Sequence, residues 1–182
     1  VLFNEPLLYF LPAEAEDKMV EIKNVGDPRG NYGQLECMWS PLTADGDAMY
    51  DANGDICCNE DLVPDIADPT DLLGKSWCYK LEIFGISKLP VIAAKCYCQY
   101  MFDGQTYTTE VIDQHTDHPR WDYSCVHRVE EVTQEFIDRL QTNSMNIHVY
   151  VSPYIAQPPD DKINTQNPII AKNMGFQGEL VW

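Results

Sequence analysis

Between Gly74 and Val151 apolar and polar residues alternate along several short stretches, and that period of two constrains the fold more than any other feature. In Trp77 to Phe84 the odd positions Trp77, Tyr79, Leu81 and Ile83 make one apolar face, while Lys80 and Glu82 point the other way. That is the pattern of a half-buried antiparallel strand. Cys96, Cys98, Tyr100 and Phe102 repeat it, the turn pair Asp103-Gly104 follows, and Tyr107 to Ile112 is again rich in β-formers. Trp121, Tyr123 and Cys125 begin another strand, and Met145, Ile147, Val149 and Val151 supply the inward face of a last one. Short strands punctuated by Gly, Pro and Asp predict an all-β sandwich or barrel; periodicity alone leaves that choice open.

The flanking segments read differently. Lys18 to Lys23 and Gln34 to Trp39 alternate around the turn region Gly26 to Gly33, which predicts an N-terminal hairpin. From Thr43 to Asp71 the chain is so dense in Asp, Gly and Pro that the expectation is a long acidic loop, mobile in part and burying little. One helix is predicted from Thr133 to Gln141, with Thr133 as N-cap and Val132, Phe136, Ile137 and Leu140 on one side. Pro153, Pro158 and Pro159 end the regular sheet, and Gly178 to Trp182 reads as a late edge strand. These signals divide a single domain into a hairpin and acidic loop (1–73), a sandwich core (74–155) and a C-terminal extension (156–182).

Charge and composition exclude whole classes of function. The 182 residues carry 12 Lys and Arg against 29 Asp and Glu, a formal net charge of −17. Such a surface repels phosphate backbones and anionic lipid headgroups, so nucleic-acid binding is not expected. No apolar run reaches 18 residues, so no transmembrane segment is expected, and the opening Val1-Leu2-Phe3-Asn4 lacks the basic start of a secretory signal. The chain opens on Val and not Met, and is read as a fragment of a longer protein. The seven cysteines form an odd set without framework spacing, which predicts free thiols in a reducing compartment.

Several motifs that suggest chemistry fail on spacing. Leu73-Gly74-Lys75-Ser76 ends like a phosphate loop, but Pro69 stands where its first glycine belongs. Asp51, Asn53 and Asp55 match the first ligand positions of an EF-hand, yet the loop lacks the glycine of its sixth position and carries Leu62 at the twelfth. Cys96 and Cys98 share a strand face and lack a second ligand pair, so they read as core; Cys57 and Cys58 are adjacent and chelate poorly. Cys125 with His127, and His115 with His118, show no evident orienting network and are read as packing or surface residues. No catalytic residue, cofactor or metal site is therefore expected.

The ordered series of motifs resembles a known family. Asp117-His118-Pro119-Arg120-Trp121-Asp122 resembles the Asn-Pro-x-Trp-Asn corner of C2 domains, and Lys95 to Cys98 their strand entry. More narrowly, Gly30 to Leu35, Gly74-Lys75, Leu89-Pro90, Tyr97 to Phe102, Val132 to Leu140 and Ile147 to Tyr150 are similar to successive motifs in the non-motor tail of kinesin-3 motors, with the ciliary, nematode-type members as the nearer resemblance. The match runs over most of residues 7 to 151.

What the resemblance implies is a C2-like antiparallel β-sandwich that docks cargo, a vesicle or membrane protein, and contacts the motor head and coiled-coil regions of its own chain to restrain them. It also implies a cytoplasmic, cytoskeleton-associated and ciliary location. The chain departs from C2 domains in one respect: between Leu89 and Tyr97, and again at Ser152-Pro153-Tyr154, it lacks the carboxylates that hold calcium. For the head contact the expected steering residues are Glu60, Asp61, Asp65 and Asp68, since an acidic module has the sign to engage a positively charged head. Two other readings stand beside it: a calcium-independent lipid-binding module, and a domain of an unrelated C2-containing enzyme.

Overall fold

The computed structural model describes residues 2–12, 18–24, 26–27, 29–156 and 180–181. Its strands, in chain order, are β1 Leu2–Phe3, β2 Met19–Glu21, β3 Gln34–Pro41, β4 Trp77–Ser87, β5 Ala93–Phe102, β6 Gln105–Thr108, β7 Arg120–Val129, β8 Ser144–Met145, β9 Ile147–Pro153 and β10 Leu180–Val181, with helix α1 at Gln134–Thr142. Two four-stranded antiparallel sheets result. Sheet I has the order β2-β3-β4-β7 and sheet II the order β10-β9-β5-β6, while β1 and β8 pair separately. The architecture is an all-β antiparallel sandwich with one short α-helix: alternation predicts the strands, and the two separate sheets decide for a sandwich over a barrel. The N-terminal hairpin forms and lies beside β4 as an extension of sheet I.

The faces follow the sequence period where the ladder is regular. Trp77, Tyr79, Leu81 and Ile83 are buried on β4, and Cys96, Cys98, Tyr100 and Phe102 on β5. Beyond Ile83 the phase changes: the register shifts against both β3 and β7, and Ile86 is buried instead of Ser87. A bulge of this kind turns an odd face into an even one. Gly85 permits the close approach that accompanies it, because a Cβ there would stand 2.7 Å from the Pro119 carbonyl oxygen. The Ile86 amide donates to that same carbonyl at 2.9 Å, which ties the Asp117 to Asp122 corner to β4. Trp121 is buried at this corner, and its indole N–H donates to the Glu110 carbonyl at 3.0 Å.

The core is aromatic and is closed by non-sheet segments. Trp77, fully buried, stacks on Tyr79 (4.9 Å) and Phe102 (5.6 Å) and meets Phe136 of α1 edge-on at 5.2 Å. Its indole N–H donates to the Leu7 carbonyl at 2.9 Å. That bond holds the short 3-10 helix Glu5–Leu8, whose Leu7 and Leu8 join the same cluster with Phe10. At the β5–β6 hairpin Asp103 and Gly104 both take positive φ, +47° and +75°. This is the conformation an Asp-Gly turn is suited to, because its twist matches that of the flanking strands.

Helix α1 carries the chain from β7 of sheet I to β8 and β9. Thr133 is its N-cap, accepting from the Phe136 amide at 3.3 Å, and Phe136, Ile137 and Leu140 are its buried side. Thr133→Ala is expected to cost about 1 kcal/mol of stability through loss of this bond. An unchanged urea midpoint would show that packing alone positions the helix.

The acidic segment buries little, as its composition predicts, but it is built of defined turns. The chain from Thr43 to Asp71 buries Thr43, Met49 and Pro69, and forms the bridges Leu42↔Ala48 and Tyr50↔Ile56. Its carboxylates serve its own backbone: Asp51 accepts from the amides of Asn53 (2.8 Å) and Asp55 (3.0 Å), and Asp71 from those of Ala67 (3.1 Å) and Asp68 (2.9 Å). Asp and Asn build turns by this local bonding, so a composition that reads as unstructured yields a series of tight turns. The late edge strand is present as β10, which pairs Leu180 with Val151; Pro158, Pro159, Gly178, Glu179 and Trp182 lie outside the described residues.

Candidate functional site

Three connections meet at one end of the sandwich. They are Leu89 to Ile92 ahead of β5, Val111 to His118 between β6 and β7, and Tyr154 to Ala156 after β9. The Tyr154 amide donates to Ile92 at 2.7 Å, Ala93 and Thr116 exchange bonds of 2.7 and 3.0 Å, and Cys96 and Ile112 exchange bonds of 3.0 and 2.8 Å. The His115 ring lies 3.9 Å from that of Tyr154. On this pinned frame Ile92, Tyr154 and Ile155 stand 50%, 42% and 73% exposed. Contiguous exposed apolar area is a mark of interaction sites, whereas apolar residues exposed singly are ordinary.

The two outer loops lack carboxylates, and the middle loop supplies Asp113 and Asp117. Both are engaged: Asp113 pairs with Lys95 at 3.3 Å, and Asp117 with His118, whose hydrogen bond holds the carboxyl below its ordinary range. Among the described residues no group of three or more His, Cys, Asp or Glu is placed to hold a metal ion. At the EF-hand-like stretch, Asp51 is spent on the turn amides described above.

The acidic residues expected to steer a partner are all exposed on the segment before β4. Glu60 and Asp61 lie in the 3-10 helix Glu60–Leu62, capped by Asn59, and Asp65 follows it. Asp68 has a structural task. Its Oδ1 accepts from the Thr70 amide (2.9 Å) and hydroxyl (2.6 Å), which lowers its pKa, and it forms a capping box with Asp71. Glu60, Asp61 and Asp65 make no ion pair among the described residues. Between and beside these acids the apolar Ile56, Leu62 and Leu73 are each about half exposed, at 46%, 50% and 45%. Charge and apolar area are therefore presented together.

Sequence reasoning missed a buried polar network. His127 is 3% exposed, and its Nε2 lies 3.0 Å from the Tyr100 hydroxyl, itself 3.1 Å from the hydroxyl of Tyr123. The rings of Tyr107 (4.6 Å), Phe102 (4.8 Å) and Trp39 (5.3 Å) surround it. Burial pushes the imidazole pKa down to about 4 and the Tyr100 hydroxyl up, so both are neutral at pH 7. His127 thus has an orienting partner in Tyr100 of the facing sheet, whose hydroxyl also meets Tyr123 and Cys125 of β7 itself. The alternation of β7 was the available signal, since His127 shares the parity of Trp121, Tyr123 and Cys125. Cys96 and Cys98 fit the core reading, and Cys37 and Cys78 are buried with them, while Cys57 is exposed; burial raises the thiols of Cys37 and Cys96 to about 12, and that of Cys98 well above its usual value.

A groove of about 400 Å³ lies between α1, the β5–β6 turn and the N-terminal segment, lined by Asn4, Asp103, Phe136, Arg139 and Met145 among others. The Arg139–Asp103 ion pair (2.6 Å) joins two of its walls. Among the described residues the buried Asn4 Oδ1 has no hydrogen-bond partner, and Asn4 is one of the residues lining the groove. At Gly74-Lys75 the backbone exchanges two 2.9 Å bonds with Val132, so this turn braces the helix entrance. No helix among the described residues is long and apolar enough to cross a membrane.

With the geometry in place, comparison with known proteins adds no family. No protein-family model matches the chain, and the curated proteins contain no significant match to it.

Proposed function

We propose that this chain is a non-catalytic docking module of the kinesin-3 tail type, which binds cargo and contacts the motor head of its own chain. The observation that carries the reading is the acidic segment, where Glu60, Asp61 and Asp65 stand exposed, without ion-pair partners among the described residues, beside Ile56, Leu62 and Leu73. Its turns are hydrogen-bonded, so little ordering entropy opposes binding. The net charge of −17 suits a basic partner and opposes an acidic track or an anionic membrane. Rim charges of this kind act mainly on association rate and salt sensitivity.

Neutralising the four acids (Glu60→Gln, Asp61→Asn, Asp65→Asn, Asp68→Asn) is expected to weaken head binding several-fold at low salt and little at high salt. Asn at position 68 preserves the cap, so the loss reports charge and not folding. The companion measurement is the microtubule-stimulated ATPase of the full motor with and without the domain. Unchanged ATPase, together with an isolated domain that neither binds nor slows the head, removes head restraint from the reading.

One observation favours a second reading. Ile92, Tyr154 and Ile155 form an apolar tip suited to insertion at a membrane interface. Co-sedimentation with uncharged vesicles, lost in Ile155→Asp, separates lipid docking from protein docking.

A further inference from the structure

Strand β7 is the outer strand of sheet I and runs the ten residues Arg120–Val129. Its partner on one side is β4; among the described residues no backbone group bonds to its other side. The remaining edge strands are short, with three residues in β2, four in β6 and two in β10. A long unpaired edge is a template for a further strand unless proline, inward charge or a cover blocks it. Here Arg120 to Val129 contains no proline and no inward charge.

We propose that β7 is a self-pairing edge, through which two copies of this chain join antiparallel about a two-fold axis at Cys125. Charge complementarity selects both the occupant and the register. Along β7 the exposed residues are Arg120, Asp122, Ser124, Val126 and Arg128, and Glu130 is exposed just beyond. Among the described residues Asp122 and Arg128 make no ion pair, whereas Arg120 pairs with Glu36 of its own chain, so the Asp122–Arg128 match carries the argument. A two-fold at Cys125 sets Asp122 of each copy opposite Arg128 of the other, and Arg120 opposite Glu130. Opposite charges face each other at both positions, and the symmetry doubles each pair.

A slip that keeps the faces moves the strands by one pair, and it fails in either direction. One slip sets Arg120 opposite Arg128, and the other sets Asp122 opposite Glu130. Like charges directly opposite are destabilising, so the edge disfavours its own neighbouring registers.

The same register gives a direct readout. Cys125 is a free thiol of intermediate exposure, and residues directly opposite in an antiparallel pair have Cα atoms about 4.5–5.5 Å apart. That separation suits a disulfide. With Cys57 and Cys58 replaced by Ser, an added oxidant should take two electrons and two protons from the paired Cys125 thiols and link two chains. Cys125→Ser should abolish the link.

Sedimentation velocity of the whole chain over a concentration series tests the association itself. Asp122→Arg and Arg128→Asp should each weaken the dimer by about tenfold, because each turns two attractions into two repulsions. The double variant Asp122→Arg with Arg128→Asp exchanges the charges and should restore it. A chain that is monomeric at every concentration overturns the proposal, as does a dimer indifferent to the single reversals or unrestored by the exchange. A monomer whose β7 amides resist hydrogen exchange assigns the edge to another segment of the chain, and equally overturns it. Since the charged positions are exposed, matching thermal melts show that the variants fold, and the oxidation assay reads the unmodified edge.

Discussion

Trp77→Ala is expected to cost about 5 kcal/mol, the top of the range for truncating a buried aromatic side chain. Trp77 is fully buried and touches Tyr79, Phe102 and Phe136, so one truncation withdraws contacts from both sheets and from the helix. It also strands the Leu7 carbonyl that accepts its indole N–H. Against a total stability of roughly 5–15 kcal/mol, that loss unfolds much of the population. Trp77→Phe keeps a ring in place and loses chiefly the hydrogen bond, so a cost of about 1–2 kcal/mol is expected and remains measurable by urea denaturation. Trp121→Ala, at the corner and outside the central stack, is expected nearer 3 kcal/mol. An unchanged midpoint for Trp77→Ala would contradict its place at the centre of the core.

Acid is expected to weaken the fold through His127. Its folded pKa is lowered to about 4 from an ordinary value of 6.5, because burial among aromatic rings disfavours the imidazolium. Between these values the unfolded chain binds more protons than the folded one, so stability rises with pH. The contribution is fully present above pH 6.5 and is lost progressively as pH falls toward 4. A displacement of that size corresponds to about 3 kcal/mol. Relief of repulsion among the 29 Asp and Glu acts in the opposite direction on acidification, so the measurement is a difference. His127→Phe should be less stable than the parent at pH 7, having lost the Tyr100 bond, and should close or reverse that gap near pH 4.5. A constant gap across this range would place the His127 titration elsewhere.

The candidate surfaces were unequally legible. Glu60, Asp61, Asp65 and Asp68 could be found from charge density, but not their division of labour. That Asp68 caps a turn while Glu60 and Asp61 stand free depends on backbone geometry that composition does not encode. The apolar loop end was half legible: the missing carboxylates are plain in Pro90 to Lys95 and Ser152 to Ile155, whereas the convergence of those loops requires β5 and β9 to be neighbours. The self-complementary charges of β7 are written in Arg120, Asp122, Arg128 and Glu130, but they matter only because β7 is the outermost strand.

Local periodicity by itself determined that β4, β5, β7 and β9 are strands with a covered face, that Thr133 starts a helix, and that Asp103-Gly104 turns a hairpin. Each of these rests on interactions within a few residues, and alternation or capping chemistry reports such interactions directly. Only the tertiary structure decided the strand order, the phase change at Ile83 to Gly85, the anchoring of the acidic segment through its own Met49 in the core, and the burial of His127 beside Tyr100. Those outcomes depend on partners far apart in the chain: Trp77 with Leu7, Tyr100 with His127, Trp39 with Phe102. Packing across two sheets is a property of which faces meet, and a one-dimensional pattern specifies a face without specifying what covers it.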